Sequence, residues 1–264
     1  MAILNVTPDS FHAASRTPDA DAVERRVREA VEAGAAIIDV GGYSSRPGAD
    51  EVPEDEEWRR VALGVATVRR LAPAMAVSVD TFRSRIAARA VEEFGPLIVN
   101  DISAGKLDEQ MAATVARLGV PYVAMHMQGD PQTMQSLTAY RRDIVSEVVD
   151  YFRERTAQLL AAGIRRENLV LDPGFGFSKT TEHNYELLAG LHRLVALGWP
   201  VLAGVSRKSM IYKVLDVSPA ESLAGTVALG WECLRQGATI LRVHDVREAA
   251  DTVRIYRKFI QNEK

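Results

Sequence analysis

Polar and ionisable residues recur along this chain at one kind of place, the carboxyl end of a short apolar run. Asn5, Asp39, Asp80, Asn100 with Asp101, His126, Asp172, Ser206-Arg207-Lys208 and Arg242 with His244 each follow such a run. A core strand has no need of such residues, and burying one without a partner is costly. Their shared position therefore points to a common site. Two chemistries separate within it. Asp80, Asn100 and Asp172 suit a flat heterocycle bearing amino and ring N–H donors, because a carboxylate accepts two parallel hydrogen bonds from an amidine-like edge and an amide both donates and accepts. Arg46, Lys208, Arg242 and His244 form a cationic set, and a forked guanidinium matches phosphate oxygens. Together they predict a ligand with an aromatic, nitrogenous head and a phosphorylated tail. Lys208 near a strand end also suits a Schiff-base aldolase, which borohydride trapping with a carbonyl substrate would reveal.

The runs that must position these residues are Ala2–Leu4, Ala36–Ile38, Ala76–Val79, Leu97–Val99, Tyr122–Met125, Leu169–Leu171, Val201–Ala203 and Thr239–Leu241. Each is too short for a helix and reads as a buried parallel strand. Between them lie amphipathic patterns over Asp21–Ala33, Glu54–Leu71, Arg83–Glu93, Asp108–Leu118, Arg141–Ala162, Glu182–Leu197, Pro219–Gln236 and Arg247–Ile260. Gly34, Gly119, Gly163, Gly198 and Gly237 stand where glycine closes a helix. Strand–helix alternation without a GxGxxG motif predicts an α/β fold with a single (β/α)8 TIM barrel, one domain over residues 1–264, and catalytic groups at the carboxyl ends of the strands. Strands one and two run into the Gly- and Pro-containing segments Asn5–Phe11 and Gly41–Gly48, predicted as long loops on the catalytic face and candidate lids. Asp172–Phe177 brings an aromatic residue to the same mouth.

Composition narrows the function class. A chain of 264 residues, 47% hydrophobic and 25% charged, is large enough for one barrel core. A net charge of −3 offers no electrostatic case for nucleic acid or an anionic membrane, so an anionic substrate must be held by local cations. The single cysteine, Cys233, excludes an intrachain disulfide and reads as a buried, inert thiol. No apolar run approaches a membrane span, and a cytoplasmic protein is expected. His126 reads as a lining or structural imidazole rather than a metal ligand, and Glu54–Arg60 as a solvated helix face.

In Ile3–Phe11, Ser45–Gly48, Ser78–Thr81, Val99–Asp101, Asp172–Phe177, Ser206–Ser209 and Arg242–Asp245 the chain resembles the dihydropteroate synthase family, over Ile3 to about Val246. The resemblance implies a transferase of folate biosynthesis that joins a pterin diphosphate to p-aminobenzoate by SN1-like substitution. It implies that Asp80, Asn100, Met125, Asp172 and Lys208 bind the pterin, and that Ser45, Arg46, Pro47, Phe177, Lys208 and Ser209 bind p-aminobenzoate. It further implies that Asn5, Arg46, Arg242 and His244 hold the diphosphate, with Mg²⁺ on Asn5, and that Asp80, Asn100, Asp172, Lys208, Arg242 and His244 are the catalytic set. A homodimer and sulfonamide binding are family expectations too.

The chain departs from the family pattern after Phe11, where His12-Ala13-Ala14-Ser15 replaces the usual Ser-Asp-Gly-Gly. Asp9 or His12 is the candidate substitute for the missing acid, and loss of the glycine pair should stiffen the loop. Ser45 stands for a common threonine and Ser178 for a frequent glycine before Lys179. The segment that often precedes the first strand in the family is expected to be absent or trimmed. Two further readings compete on the same residues. A corrinoid-linked pterin methyltransferase would share the pterin-binding acids but leaves the Ser45–Pro47 and Ser206–Ser209 loops without a role. A catalytically silent pterin-binding paralogue would release no diphosphate.

Overall fold

Each apolar run becomes a strand because its neighbours supply the backbone partners that a buried strand requires. In the computed structural model, which describes residues 1–7, 20–44 and 51–262, the strands are β1 (Ala2–Asn5), β2 (Ile37–Gly41), β3 (Ala76–Asp80), β4 (Ile98–Asp101), β5 (Tyr122–Met125), β6 (Leu169–Asp172), β7 (Leu202–Ala203) and β8 (Ile240–Leu241). β1 to β6 form one parallel sheet in sequence order, and β7 and β8 a second, also parallel. Parallel bridges Leu171–Val201 and Ala2–Val243 join the two sheets at both edges. The backbone bonds Leu171 N to Pro200 O at 2.9 Å and Ile3 N to Val243 O at 3.0 Å run through those junctions. The ring β1 to β8 is the expected (β/α)8 arrangement.

The described helices are α1 (Ala20–Glu32), α2 (Glu54–Leu71), α3 (Ser84–Phe94), α4 (Met111–Leu118), α5 (Ile144–Ala161), α6 (Thr181–Ala189), α7 (Leu191–Val195), α8 (Ser209–Leu215), α9 (Leu223–Arg235) and α10 (Val246–Ile260). Several bury one stripe: α1 buries Ala22, Val23, Val27 and Ala30, and α5 buries Ile144, Val145, Val148, Val149, Phe152 and Leu159. No described helix is long and apolar enough to cross a membrane.

Side-chain caps account for the differences from the sequence-based boundaries. Asp143 accepts from Ser146 N at 2.8 Å, so α5 begins at Ile144 rather than Arg141. Asp108 accepts from Ser84 N at 2.7 Å as well as from Gln110 N at 2.9 Å, which delays α4 to Met111. The reciprocal Ser218–Glu221 box closes a separate 3-10 turn over Pro219–Glu221, ahead of α9. The pattern over Glu182–Leu197 divides at Gly190, where a β-carbon would lie 2.6 Å from Val145 Cγ2, so α6 and α7 pack closely on α5. The short helix α8 is an addition, closed by Asp216 at φ 53°.

Candidate active site at the carboxyl end of the barrel

Parallel register decides which strand-end residues meet. Asn5 pairs with Gly41, Gly41 with Asp80, and Asp80 with Asn100. This row rims the carboxyl end of the first four strands. Gly41 keeps it tight: a β-carbon there would lie 3.3 Å from Asn5 Oδ1 and 3.6 Å from Asp80 Cβ.

At the centre, Arg242 donates from Nε to Asp39 Oδ2 and from Nη2 to Asp80 Oδ2, both at 2.7 Å. Asn100 Nδ2 donates to the same Asp39 oxygen at 3.1 Å. Asp39, named by sequence only as a strand-end acid and given no role, thus links the two predicted subsets. It sits on the interior face of β2 two residues before Gly41, which is the period of a strand. Its Oδ1 and Ser78 Oγ, on register-paired residues, are buried without a partner among the described residues. Burial works against the charge of Arg242, but Asp39 and Asp80 more than offset it and the guanidinium titrates above its usual range. Burial raises the Asp80 carboxyl; Arg242 opposes the rise and Asp39 adds to it.

Asp172 ends β6, and its Oδ1 accepts from Gly174 N at 2.8 Å. Burial raises its pKa, with the Lys208 ammonium the first opposing cause. Lys208 follows β7 and donates to Phe175 O, and its Nζ lies 4.8 Å from the centre of the Phe177 ring. Gly204 lies beside both cations: a β-carbon there would be 3.8 Å from Lys208 Nζ and from Arg242 Cβ, an ordinary contact distance. Burial lowers Lys208 to about 8, and Asp172 partly offsets it. Ser209 opens α8 immediately after. Met125 belongs to a small apolar cluster with Ile102, Met127 and Met134, against which Phe82 and Phe177 pack. It forms a greasy wall beside the polar rim. His244 stands two residues beyond Arg242, on the same side of the extended segment that bridges to Ala2 through Val243. Its backbone N–H donates to Ser206 Oγ at 3.1 Å, and its Nδ1 lies 3.0 Å from the same oxygen.

Several expectations need correction. Asp101 does not face this site: it accepts from Ser103 N, Gly105 N and Tyr122 OH and braces the loop after β4. Arg207 leaves the cationic run for a two-bonded pair with Asp245, at 2.9 and 2.6 Å. Glu54–Arg60 is not wholly a solvated face. Glu57 is fully buried, accepting from Thr81 Oγ1 and Arg83 Nη1 at 2.6 Å each, and Arg60 donates to Gly42 O at 3.1 Å. His126 is structural, with its Nδ1 3.0 Å from Lys179 Nζ. Cys233 is buried, and burial pushes its thiol up to about 12. Ser45, Arg46 and Pro47, like Asp9, His12, Ala13, Ala14 and Ser15, lie outside the described residues.

Among the described residues no group of three His, Cys, Asp or Glu could cage a metal ion. Mg²⁺ does not require one: it takes one or two protein oxygens and completes its shell with water and substrate phosphate. The Asn5 amide oxygen, with the Gly41 backbone leaving space beside it, fits that mode.

Two acids sharing an arginine, an amide bonded to one of them, and a half-buried lysine beside an aromatic wall suit a barrel enzyme that takes a heterocycle and an anion together. Residues 1–244 match the family model described as pterin binding enzyme. The dihydropteroate synthase of Haemophilus influenzae is 42% identical over 97% of this chain and 92% of its own length, and that of Escherichia coli strain K12 is 45% identical over 97% and 89%. The Xanthomonas albilineans dihydropteroate synthase solved with 4-aminobenzoic acid superposes with a TM-score of 0.88 at 39% identity, covering 100% of this chain and 93% of that one. The Yersinia pestis dihydropteroate synthase in its sulfonamide drug complex gives 0.90 at 38% identity, covering 98% and 93%. The chain belongs to the dihydropteroate synthase family of pterin-binding enzymes, which are transferases.

Proposed function

We propose that this chain condenses 6-hydroxymethyl-7,8-dihydropterin diphosphate with p-aminobenzoate to give 7,8-dihydropteroate and diphosphate. The observation that carries the reading is Arg242, one guanidinium bonded to the acids Asp39 and Asp80, with Asn100 on the same Asp39 oxygen. A group recognising the pterin edge and a group recognising its leaving anion are thereby in direct contact.

In this reading Asp80, Asn100 and Asp172 accept from and donate to the pterin edge, Lys208 bonds its rim and Met125 packs on its face. Arg242, His244, Asn5 and Arg46 hold the diphosphate. The methylene C–O bond breaks and its electron pair leaves with the diphosphate oxygen. The ring delocalises the cation left behind, and the Asp80 and Asp172 carboxylates supply negative potential beside it. The arylamine lone pair of p-aminobenzoate, placed by Ser45, Arg46, Pro47, Phe177, Lys208 and Ser209, then forms the C–N bond, and the nitrogen loses a proton. Arg242 and His244 stabilise the anion that departs. Asn5 would hold a Mg²⁺ ion there, which when bound would supply further positive charge at that anion.

A cytoplasmic homodimer belongs to the same reading, and Ile255, Phe259 and Ile260, exposed on α10, offer apolar surface for it. A coupled diphosphate-release assay tests the function. Release should require both the pterin diphosphate and p-aminobenzoate and should fall on chelation of Mg²⁺. Absence of release with both substrates and Mg²⁺ present would favour a silent pterin-binding protein instead.

A further inference from the structure

The turn that follows β6 is tied into shape by a buried lysine to which the substrate-binding scheme gives no part. Lys179 is 5% exposed. Its Nζ donates to Phe177 O at 2.9 Å and to Gly174 O at 3.0 Å, and lies 3.0 Å from His126 Nδ1. An ammonium has three protons, and here each has an acceptor. The imidazole can serve as the third, because burial, reinforced by Lys179 and Lys106, pushes its pKa well down and keeps the ring neutral. The next residue back fastens the same turn to the loop after β5. Ser178 takes φ 49°, its Oγ accepts from Gln128 N at 2.9 Å, and its carbonyl accepts from Tyr140 OH at 2.9 Å. Gly174 completes the close approach at φ 70°, where a β-carbon would lie 2.1 Å from His126 O.

Everything this turn presents to the site hangs on its backbone. Gly174 N donates to Asp172, Phe175 O receives Lys208, and the Phe177 ring stands against the Lys208 ammonium. We propose that Lys179 is a positioning residue: by gathering Gly174 O, Phe177 O and His126 Nδ1 it holds the Asp172–Phe177 turn in the one shape that sets Asp172, Lys208 and Phe177 for both substrates. The proposal rests on the dihydropteroate synthase reading above. The groups facing Lys179 are Asp172 from β6, Lys208 from the segment after β7 and His126 from the end of β5. Lys106 lies behind His126 over the Tyr151 ring, and Tyr140 stands beside the imidazole. Burial lowers Lys179 to about 7, Asp172 opposing and Lys208 reinforcing. Below that pH all three donors are present. As pH rises through it, one donor becomes a lone pair and the turn loosens.

Lys179→Met, which keeps the unbranched chain short of its terminal nitrogen and removes every donor, and Lys179→Gln, which keeps an amide donor, test this in the full chain. Diphosphate release gives kcat and KM for both substrates, and calorimetry gives affinity for the pterin diphosphate without p-aminobenzoate, over about pH 6 to 9. The expected result is a roughly 10- to 100-fold fall in kcat/KM with cooperative unfolding retained, and a smaller loss for the glutamine variant. In the unaltered chain pterin affinity should weaken in a step near pH 7 ahead of the one expected from Lys208 near pH 8, and in Lys179→Met the step near pH 7 should vanish while the later one stays. Constants and a pH profile matching the unaltered chain would overturn the proposal. Should neither variant fold, the decision passes to nitrogen NMR of His126 in the unaltered chain: an unprotonated Nδ1 at about pH 6 supports the arrangement, and a protonated one there overturns it. Lack of diphosphate release by the unaltered chain would instead remove the enzymatic reading, while the NMR result would still report on the turn.

Discussion

Asp39→Asn separates a charge from a geometry. Asp39 accepts through one oxygen, Oδ2, from Arg242 Nε at 2.7 Å and Asn100 Nδ2 at 3.1 Å, while its Oδ1 has no partner among the described residues. An asparagine with its amide oxygen in place of Oδ2 keeps both bonds and sets its NH2 where Oδ1 stood. The change is then one negative charge, together with two N–H donors at a buried position beside Ser78 Oγ. Asp80, on another arm of the same guanidinium, feels it most, because Asp39 helps hold its carboxyl above the usual range. Two carboxylates on neighbouring arms of a guanidinium lie roughly 5 Å apart, and at an effective dielectric of about 20 they repel by about 3 kcal/mol. That is an upper bound of about 2 pKa units. Screening by Arg242 itself and the 16% exposure of the Asp80 side chain bring the expectation to about 1 unit. Removing an anion favours ionisation of its neighbour, so Asp80 deprotonates at lower pH. The acid limb of kcat/KM for diphosphate release, which reports the free enzyme, should move down by about 1 unit. A limb that stays in place or moves up would refute both the coupling of the two acids and the role of Asp80 ionisation in capturing the pterin. Stability has a sign too. A carboxyl raised on folding leaves the native state holding more protons than the unfolded chain between the two pKa values, so stability falls as pH rises through that window. Asp39→Asn narrows the window and should flatten the fall, which urea melts across acid pH would measure.

Asp172→Asn keeps an oxygen for Gly174 N and removes only charge, and it should cost pterin affinity and turnover roughly 10- to 100-fold by calorimetry and diphosphate release. Unchanged pterin affinity and turnover would contradict its role. Arg46→Ala should raise the p-aminobenzoate KM and leave pterin binding nearly intact, and equal losses for both substrates would contradict the division into two subsites. Gly64→Ala should destabilise by about 1–3 kcal/mol in urea melts although alanine favours a helix, because the added β-carbon would lie 2.5 Å from Val40 Cγ1. A gain in stability would mean that α2 packs less closely on β2 than described. Cys233, buried and pushed up to about 12, should react with a thiol reagent only after unfolding; rapid labelling of the native protein would contradict its burial.

Much of the scaffold was legible because its signals are local. β5 is apolar and buried at all four positions, from Tyr122 to Met125, and the Glu54–Leu71 pattern matches α2 at both ends. The failures share a cause. Glu57 sits among Glu54, Asp55, Glu56, Arg59 and Arg60, and nothing in that neighbourhood distinguishes it. Its burial comes from Thr81 and Arg83, which reach it from the end of β3. Asp101 and Asn100 are consecutive, yet strand alternation turns only Asn100 toward Asp39 and leaves Asp101 to Tyr122. Lys179 has no signal of its role in its own neighbourhood, because two carbonyls and an imidazole converge on it only in the folded chain.

By itself the sequence determined the alternation of strand and helix, the end of the barrel where chemistry collects, and the residue types offered there. Period and composition suffice for these, because a strand interior tolerates few polar groups. Tertiary structure alone decided which polar groups touch. The contacts of Arg242 with Asp39 and Asp80 span 203 and 162 positions of chain. No local preference encodes a bond of that reach; parallel register and ring closure place its two ends, and burial then sets the charge each carries.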